Sequence, residues 1–241
     1  MTATTVVIGA TGAVGSALAR RCAARGDRVV LVARDGARLT ALATTLPGAV
    51  AVAADATDPD ALRAAIAGAG AAISGLAYCV GSIALKPLLR TTEADFIDAF
   101  RLNALGAAIA VQAAQDALVA AQGSVVLFST VAARAGFPNH AAIAAAKGAV
   151  EGLTVALAAE LAPAVRVNCI APSLTRSAMA APLIGNDRMA EAIAKLHPIP
   201  RLGEGDDSAA LADFLLSGAA GWITGQVFAV DGGRSTLRSR G

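Results

Sequence analysis

TTVVIGATGAVGSALARRCAARG, residues 4–26, passes from a β-branched run through three glycines into an alanine-rich amphipathic segment. A run of that kind is a strand and the segment after it a helix, so the glycines at 9, 12 and 15 sit in the turn between them. Glycine is needed where backbone turns sharply, approaches a pyrophosphate, or lets a helix lie close on a strand. The helix start then offers unpaired N–H groups to phosphates. A plain turn uses the same residues, but this placement between first strand and first helix favours a dinucleotide.

The alternation continues outward from that stretch. RVVLVA, AVAVAA, AISGLAYCV, SVVLFS, VRVNCIA and QVFAV read as strands. Between them lie the helical segments DGARLTALATTL and DPDALRAAIAGAG, a long helix from about Thr92 to Ala121, and another from about Asn139 to Leu161. Residues between the sixth strand and the last read as a loop with short helices, and Asp-Gly-Gly at 231–233 closes the final strand. Apolar strands alternating with helices predict a parallel sheet covered on both faces. The expected fold is an α/β doubly wound sheet of the Rossmann kind, one domain over residues 1–241.

Composition narrows the function classes. Of 241 residues, 56% are hydrophobic and 16% charged, and alanine inflates the first figure, which points to packed helices. No strongly apolar uncharged run long enough for a membrane span stands out, and MTATTVVIGATG has no leader pattern, so a cytoplasmic protein without a membrane partner is expected. A formal charge of +2 without basic runs argues against nucleic acid. The end RSTLRSRG is mildly basic and reads as a solvated tail. Cys22, Cys79 and Cys169 are far apart among apolar neighbours and read as buried thiols, with no metal-ligand spacing.

In doubly wound sheets ligands bind outside the carboxyl ends of the strands. After the second strand stand Ala33 and Arg34. An NAD site usually has an acid there for the ribose; arginine instead matches a 2′-phosphate, so NADP(H) is favoured over NAD(H), with a surface arginine as the alternative. Asp55 after the third strand is placed to accept from an adenine amino group, or else to cap the next helix, which Thr57 or Asp58 could also do.

At this point the chain resembles the short-chain dehydrogenase/reductases, over nearly its whole length. GATGAVG is similar to their glycine motif, though its spacing is nearer that of extended and atypical branches. YCVG at 78–81 stands where many members have Asn-Asn-Ala-Gly. NALG at 103–106 matches Asn-x-x-Gly, FSTVAA the serine strand, RVNCIAPS the Pro-Gly segment with Ser173 for glycine, and GWITGQVFAVDGG the C-terminal strand. The resemblance implies a cofactor site built from Gly9, Thr11, Gly12, Ala13, Val14 and Gly15 in the first turn. It adds Ala33, Arg34, Asp55 and Ala56, then Val80, Gly81, Asn103 and Lys147, and finally Pro172, Ser173, Leu174 and Ser177.

The resemblance breaks at the catalytic residue. In that family a tyrosine four residues before a lysine protonates the carbonyl oxygen, a serine polarises the carbonyl, and an asparagine holds a water. Lys147, Thr130 with its hydroxyl, and Asn103 match by position, but the tyrosine position is Ile143. The single tyrosine, Tyr78, ends the fourth strand and reads as structural or cofactor-lining. Locally, PNHAAIAAAKGAVE is similar to the active-site helix of divergent enoyl-acyl-carrier reductases, whose tyrosine lies seven residues before the lysine. His140 occupies that position here, two helical turns (roughly 10.5 Å of rise) before Lys147. Imidazole is a competent general acid near neutrality.

Simpler roles exist for each residue: His140 as a helix-start residue, Lys147 as a snorkelling side chain, Thr130 as a turn hydroxyl. Lys147 is one of only three lysines and falls inside the motif. The reading is an NADP(H)-dependent oxidoreductase acting on a small-molecule carbonyl or conjugated enone, with Asn103, Thr130, His140 and Lys147 catalytic. Its alternatives are a binding protein without chemistry and a partner subunit of a hetero-oligomer. The alanine- and leucine-rich helices at about 92–121 and 139–161 predict a homodimer or homotetramer. Residues 175–203 name no substrate, and His197 there reads as a loop histidine of no special role.

Overall fold

The β-branched runs form the strands of one parallel sheet: β1 (Thr4–Ile8), β2 (Arg28–Ala33), β3 (Val50–Ala53), β4 (Gly75–Tyr78), β5 (Ser124–Phe128), β6 (Arg166–Pro172) and β7 (Val227–Val230). Their spatial order is β3-β2-β1-β4-β5-β6-β7, so the winding reverses between β1 and β4. The central strands β1, β4 and β5 are buried along their whole length, as strands covered on both faces must be. The computed structural model describes residues 2–238; the end of the basic tail, 239–241, lies outside the described residues.

One face carries α1 (Ala13–Ala24), α2 (Gly36–Ala43) and α8 (Gly205–Leu216), whose Leu18, Leu39 and Leu215 pack with Val7 and Leu31 of the sheet. The other face carries α3 (Pro59–Ala67), α5 (Gly106–Ala120) and α6 (Ala141–Leu161), with Leu62, Leu118 and Val150 packed on Leu76 and Leu127. Further out, α4 (Glu93–Phe100) lies against α6, and α7 (Asp187–Ala194) crosses the segment between β6 and α8. The stretches Glu93–Ala120 and Ala141–Leu161 have the length and composition of membrane spans, yet α5 in the first and α6, the second, pack in the core cluster on that face of the sheet.

Three elements differ from the sequence expectation. The long helix expected at 92–121 is two helices joined by a π-helical turn, Arg101–Leu105. The Tyr78 hydroxyl donates to the Leu102 carbonyl at 2.7 Å, and a Cβ on Gly106 would meet that hydroxyl at 2.1 Å, so a buried phenol occupies the point where the helix widens. The helix expected from Asn139 starts at Ala141, because Asn139 is left-handed at φ +67°. The stretch read as a loop with short helices contains α8, a full 12-residue helix and a main partner of α1. Gly205 sits at their crossing, where a Cβ would come within 2.4 Å of the Ala13 carbonyl oxygen.

Candidate functional site

The first turn has the form its glycines predict. Gly9 is at φ +84°, and a Cβ there would press on the Cys79 backbone at 2.8 Å; one on Gly15 would meet the Gly9 carbonyl oxygen at 2.3 Å. Gly12 begins α1 with no side-chain cap, so the N–H groups of Ala13 and Val14 open the helix without one. This is a cradle for phosphate, and it lies beside β1 and β4, where the sheet winding reverses.

Ala33 ends β2, and Arg34 after it is exposed. Asp35 caps α2, and Arg38, one turn later, donates to the Thr11 carbonyl at 2.8 Å. Arg38 therefore joins the glycine loop to the arginine side of the site. Sequence reading missed it by stopping at the strand end, one residue short of the cap of the helix that carries it. Asp55 accepts from the Thr57 N–H and hydroxyl at 2.8 Å each, bonds that hold its carboxylate below the usual range. It does not cap α3; Asp58 does. Ala56 is buried behind it.

Across β4, two buried polar tips converge on Gly81, which follows Val80. A Cβ on Gly81 would meet Asn103 Oδ1 and Lys147 Nζ, each at 3.3 Å. Lys147 is 6% exposed and donates to the Phe128 carbonyl at 2.7 Å. Burial pulls its pKa down to about 8, against the opposing influence of the Cys169 and Cys79 thiols. Cys22 and Cys169 are fully buried and Cys79 partly so. Asn103 sits in the π-turn and donates to the Ala99 carbonyl at 2.8 Å, while its buried Oδ1 has no partner among the described residues. A buried amide oxygen in that state is an acceptor waiting for a water or hydroxyl.

Thr130 follows β5; its hydroxyl accepts from the Ala132 N–H at 3.3 Å and lies 3.4 Å from the Pro172 carbonyl. Its neighbour Ser129, not singled out from sequence, reaches Glu151 Oε1 at 2.9 Å and the Lys147 carbonyl at 3.2 Å. Arg134 holds the same carboxylate at 2.6 Å, so β5 and α6 are tied together directly behind Lys147. Ile143 is buried, 5% exposed. Tyr78 is structural: its hydroxyl is engaged by Leu102, and burial raises its pKa.

His140 precedes α6. Its Nδ1 lies 2.7 Å from the Pro138 carbonyl, which requires the proton on Nδ1 and leaves Nε2 without a partner among the described residues. The ring rests on Phe137 at 5.5 Å. No hydrogen bond joins His140 to the Lys147 group.

At the end of β6, Ser173 takes its N–H to the Val230 carbonyl, and Leu174 accepts from Gly203. Ser177 accepts from the Ala180 N–H at 3.1 Å and stabilises its own turn. His197 departs from the expectation of a plain loop residue. It is 3% exposed, with Nδ1 3.0 Å from the Ile193 carbonyl and Nε2 2.8 Å from the Ser173 hydroxyl. That arrangement pins the C-terminal end of α7 to the end of β6. Serine in place of the family's glycine was the signal for it.

A glycine turn at the winding reversal, with a desolvated amine and an unpartnered amide oxygen on the other side of β4, has the form of a dinucleotide-binding site. The comparisons agree. Residues 9–235 match the family described as enoyl-(acyl carrier protein) reductase. The "inactive 2-(S)-hydroxypropyl-CoM dehydrogenase 2" of Xanthobacter autotrophicus is 37% identical over 91% of this chain and 100% of its own. Galactitol 2-dehydrogenase (L-tagatose-forming) of Cereibacter sphaeroides is also 37% identical, over 94% and 92%. The structure of a short-chain type dehydrogenase/reductase from Mycobacterium ulcerans superposes with a TM-score of 0.91 at 30% identity, covering 98% of this chain and 90% of that one. The chain belongs to the short-chain dehydrogenase/reductase family, whose members bind nicotinamide dinucleotides and act on small molecules.

Proposed function

We propose that this chain is an NADP(H)-dependent oxidoreductase that reduces the carbonyl group, or the conjugated double bond beside it, of a small molecule. The observation that carries this reading is the convergence of Lys147 Nζ and the unpartnered Asn103 Oδ1 on Gly81. The dinucleotide fits the residues present, since the uncapped start of α1 and the Cβ-free backbone at Gly9 and Gly15 leave room and donors for phosphates. When bound, it supplies the reducing equivalent. Lys147 binds the nicotinamide ribose, Asn103 holds a water on its free oxygen, and Thr130 orients the substrate oxygen. His140 is the proton donor, releasing the proton from Nε2 when the ring is protonated; its Nδ1 keeps its own proton, donated to the Pro138 carbonyl, and fixes the ring. Arg34, with Arg38 beside it, selects the 2′-phosphate. The protein works as a homodimer or homotetramer.

A second reading has its own support. Ile143 has no proton to give, and a relative 37% identical carries "inactive" in its name. In that reading the chain binds the cofactor without turnover. His140→Ala separates the two: loss of turnover on ketones and enones by about 10² to 10⁴, with NADPH affinity retained, supports the first. Full activity in His140→Ala removes it. Ile143→Tyr is the complementary variant. Under the first reading it adds little; under the second it creates carbonyl reduction, because Lys147 is already placed to lower the new phenol's pKa.

A further inference from the structure

Arg234 follows the Asp-Gly-Gly turn after β7 and stands outside the groups described so far. Its guanidinium lies 4.7 Å from the Phe137 ring centroid, and the other neighbour of that ring is His140. On its far side, Gly233 packs on Pro198, with a would-be Cβ 3.2 Å from the proline ring, and the Gly232 carbonyl accepts from the Ile199 N–H at 3.0 Å. Arg234 thus stands between the β5–α6 loop, through Phe137, and the segment after α7, through Gly233 and Pro198.

The guanidinium makes no ion pair and no hydrogen bond among the described residues; burial lowers its pKa, and Asp231 opposes that only through space. Of the part-buried arginines, the guanidinium of Arg21 donates to Asp206, that of Arg28 to the Ala69 carbonyl and that of Arg166 to the Ser217 carbonyl; the Arg234 guanidinium alone donates to nothing among the described residues. The nearest acid, Asp231, turns its carboxylate to the Gly233 N–H, the Ser235 N–H and the Ser235 hydroxyl. A partly desolvated guanidinium with its fork unfilled, held flat by an aromatic ring, is an arrangement made for a planar anion.

We propose that Arg234 is a specificity-determining residue, and that it binds the carboxylate of a small oxo- or hydroxy-acid substrate at the Phe137 ring, beside His140. The inference rests on the reading of His140 as the reacting side of the site, and it adds the substrate class that reading lacks. Met179, Met189 and Leu196, in the segment between β6 and α8, are exposed apolar side chains and would be available to the rest of a short acyl chain.

The test is binding without turnover, so that it stands apart from the proposed chemistry. The chain has two histidines, and His140→Asn assigns the ring signals of ¹³C-labelled histidine by NMR. Titration of the full-length, NADPH-saturated protein with butyrate should move the His140 ring saturably, and the neutral isostere butyramide should not. Arg234→Gln should weaken butyrate roughly tenfold or more, as loss of a bidentate charged contact does, with Arg234→Lys between the two. Phe137→Leu should weaken it less, by removing the surface that holds the guanidinium flat. Melting curves verify that each variant folds. Equal butyrate affinity in Arg234→Gln and the unmodified protein, or an equal response to butyramide, overturns the assignment while leaving the His140 chemistry untouched. A fully active His140→Ala that still binds butyrate through Arg234 does the reverse.

Discussion

At the scale of the residue, Lys147 is the side chain that packing does not explain. An ammonium group with 6% exposure is held by a carbonyl and not by an acid. The unfolded chain keeps this amine protonated to its ordinary 10.5, the folded chain only to about 8, so between those values the unfolded state binds the extra proton and stability rises with pH. Below pH 8 the penalty stands in full, ~3 kcal/mol for a value displaced that far. Lys147→Met removes it but leaves the Phe128 carbonyl without a donor, a loss of about 1–3 kcal/mol. Urea unfolding at pH 7 should therefore find the variant within about 2 kcal/mol of the parent, and the pH 8–10.5 rise should vanish, while NADPH binding collapses. A loss above about 4 kcal/mol with the cofactor still bound would make the residue structural. Arg34 is tested in the same titration. NADPH should bind more tightly than NADH, and Arg34→Ala should remove most of that difference, with the remainder carried by Arg38. Equal dissociation constants in the unmodified protein would refute the preference.

The π-turn at Arg101–Leu105 shows what an element can do that its residues do not announce. Tyr78 holds the Leu102 carbonyl, Gly106 makes room for the phenol, and Asn103 between them is presented with its oxygen free. Tyr78→Phe should lower stability by about 1–3 kcal/mol, since a buried carbonyl loses its donor. It should also reduce turnover through Asn103 without abolishing it. Complete loss of activity in a folded Tyr78→Phe protein would instead make the phenol the proton donor. None of this was legible along residues 92–121, which read as one unbroken helix because the cause of the turn is tertiary and lies on β4. The alternating strands and the glycine turn were legible, because a period of two, a period of 3.6 and a positive φ each leave local marks. Gly9 was found that way, whereas Asn103 came only from the resemblance of residues 103–106 to the family's motif. His197 and Arg234 were found neither way, since each takes its meaning from partners far off in the chain, Ser173 for one and Phe137 for the other. In α8 the Glu204–Asp207 capping box was the local mark passed over.

At the scale of the whole molecule, one group of the uncovered apolar residues is gathered in a single place. Phe96, Ile97, Phe100 and Leu105, with Arg101, line an open cavity of about 500 Å³ on the outer side of α4 and the π-turn. Monomeric proteins rarely leave such a group of large side chains in water, and a second copy related by a two-fold axis would cover it with the same patch. The assembly then bears on the site, because the covered element is the one that carries Asn103. Phe100→Asp puts a charge at the centre of that patch without touching the sheet or the cofactor cradle. Light scattering at micromolar concentration should find the parent as a dimer or tetramer and the variant at half the parent's mass or less. If the second copy steadies the π-turn, the variant should also lose turnover several-fold while Lys147→Met remains the more severe lesion for NADPH binding. A parent protein that is already monomeric would remove the assembly from the account, and a dissociated variant with unchanged turnover would show that one copy holds Asn103 in place unaided.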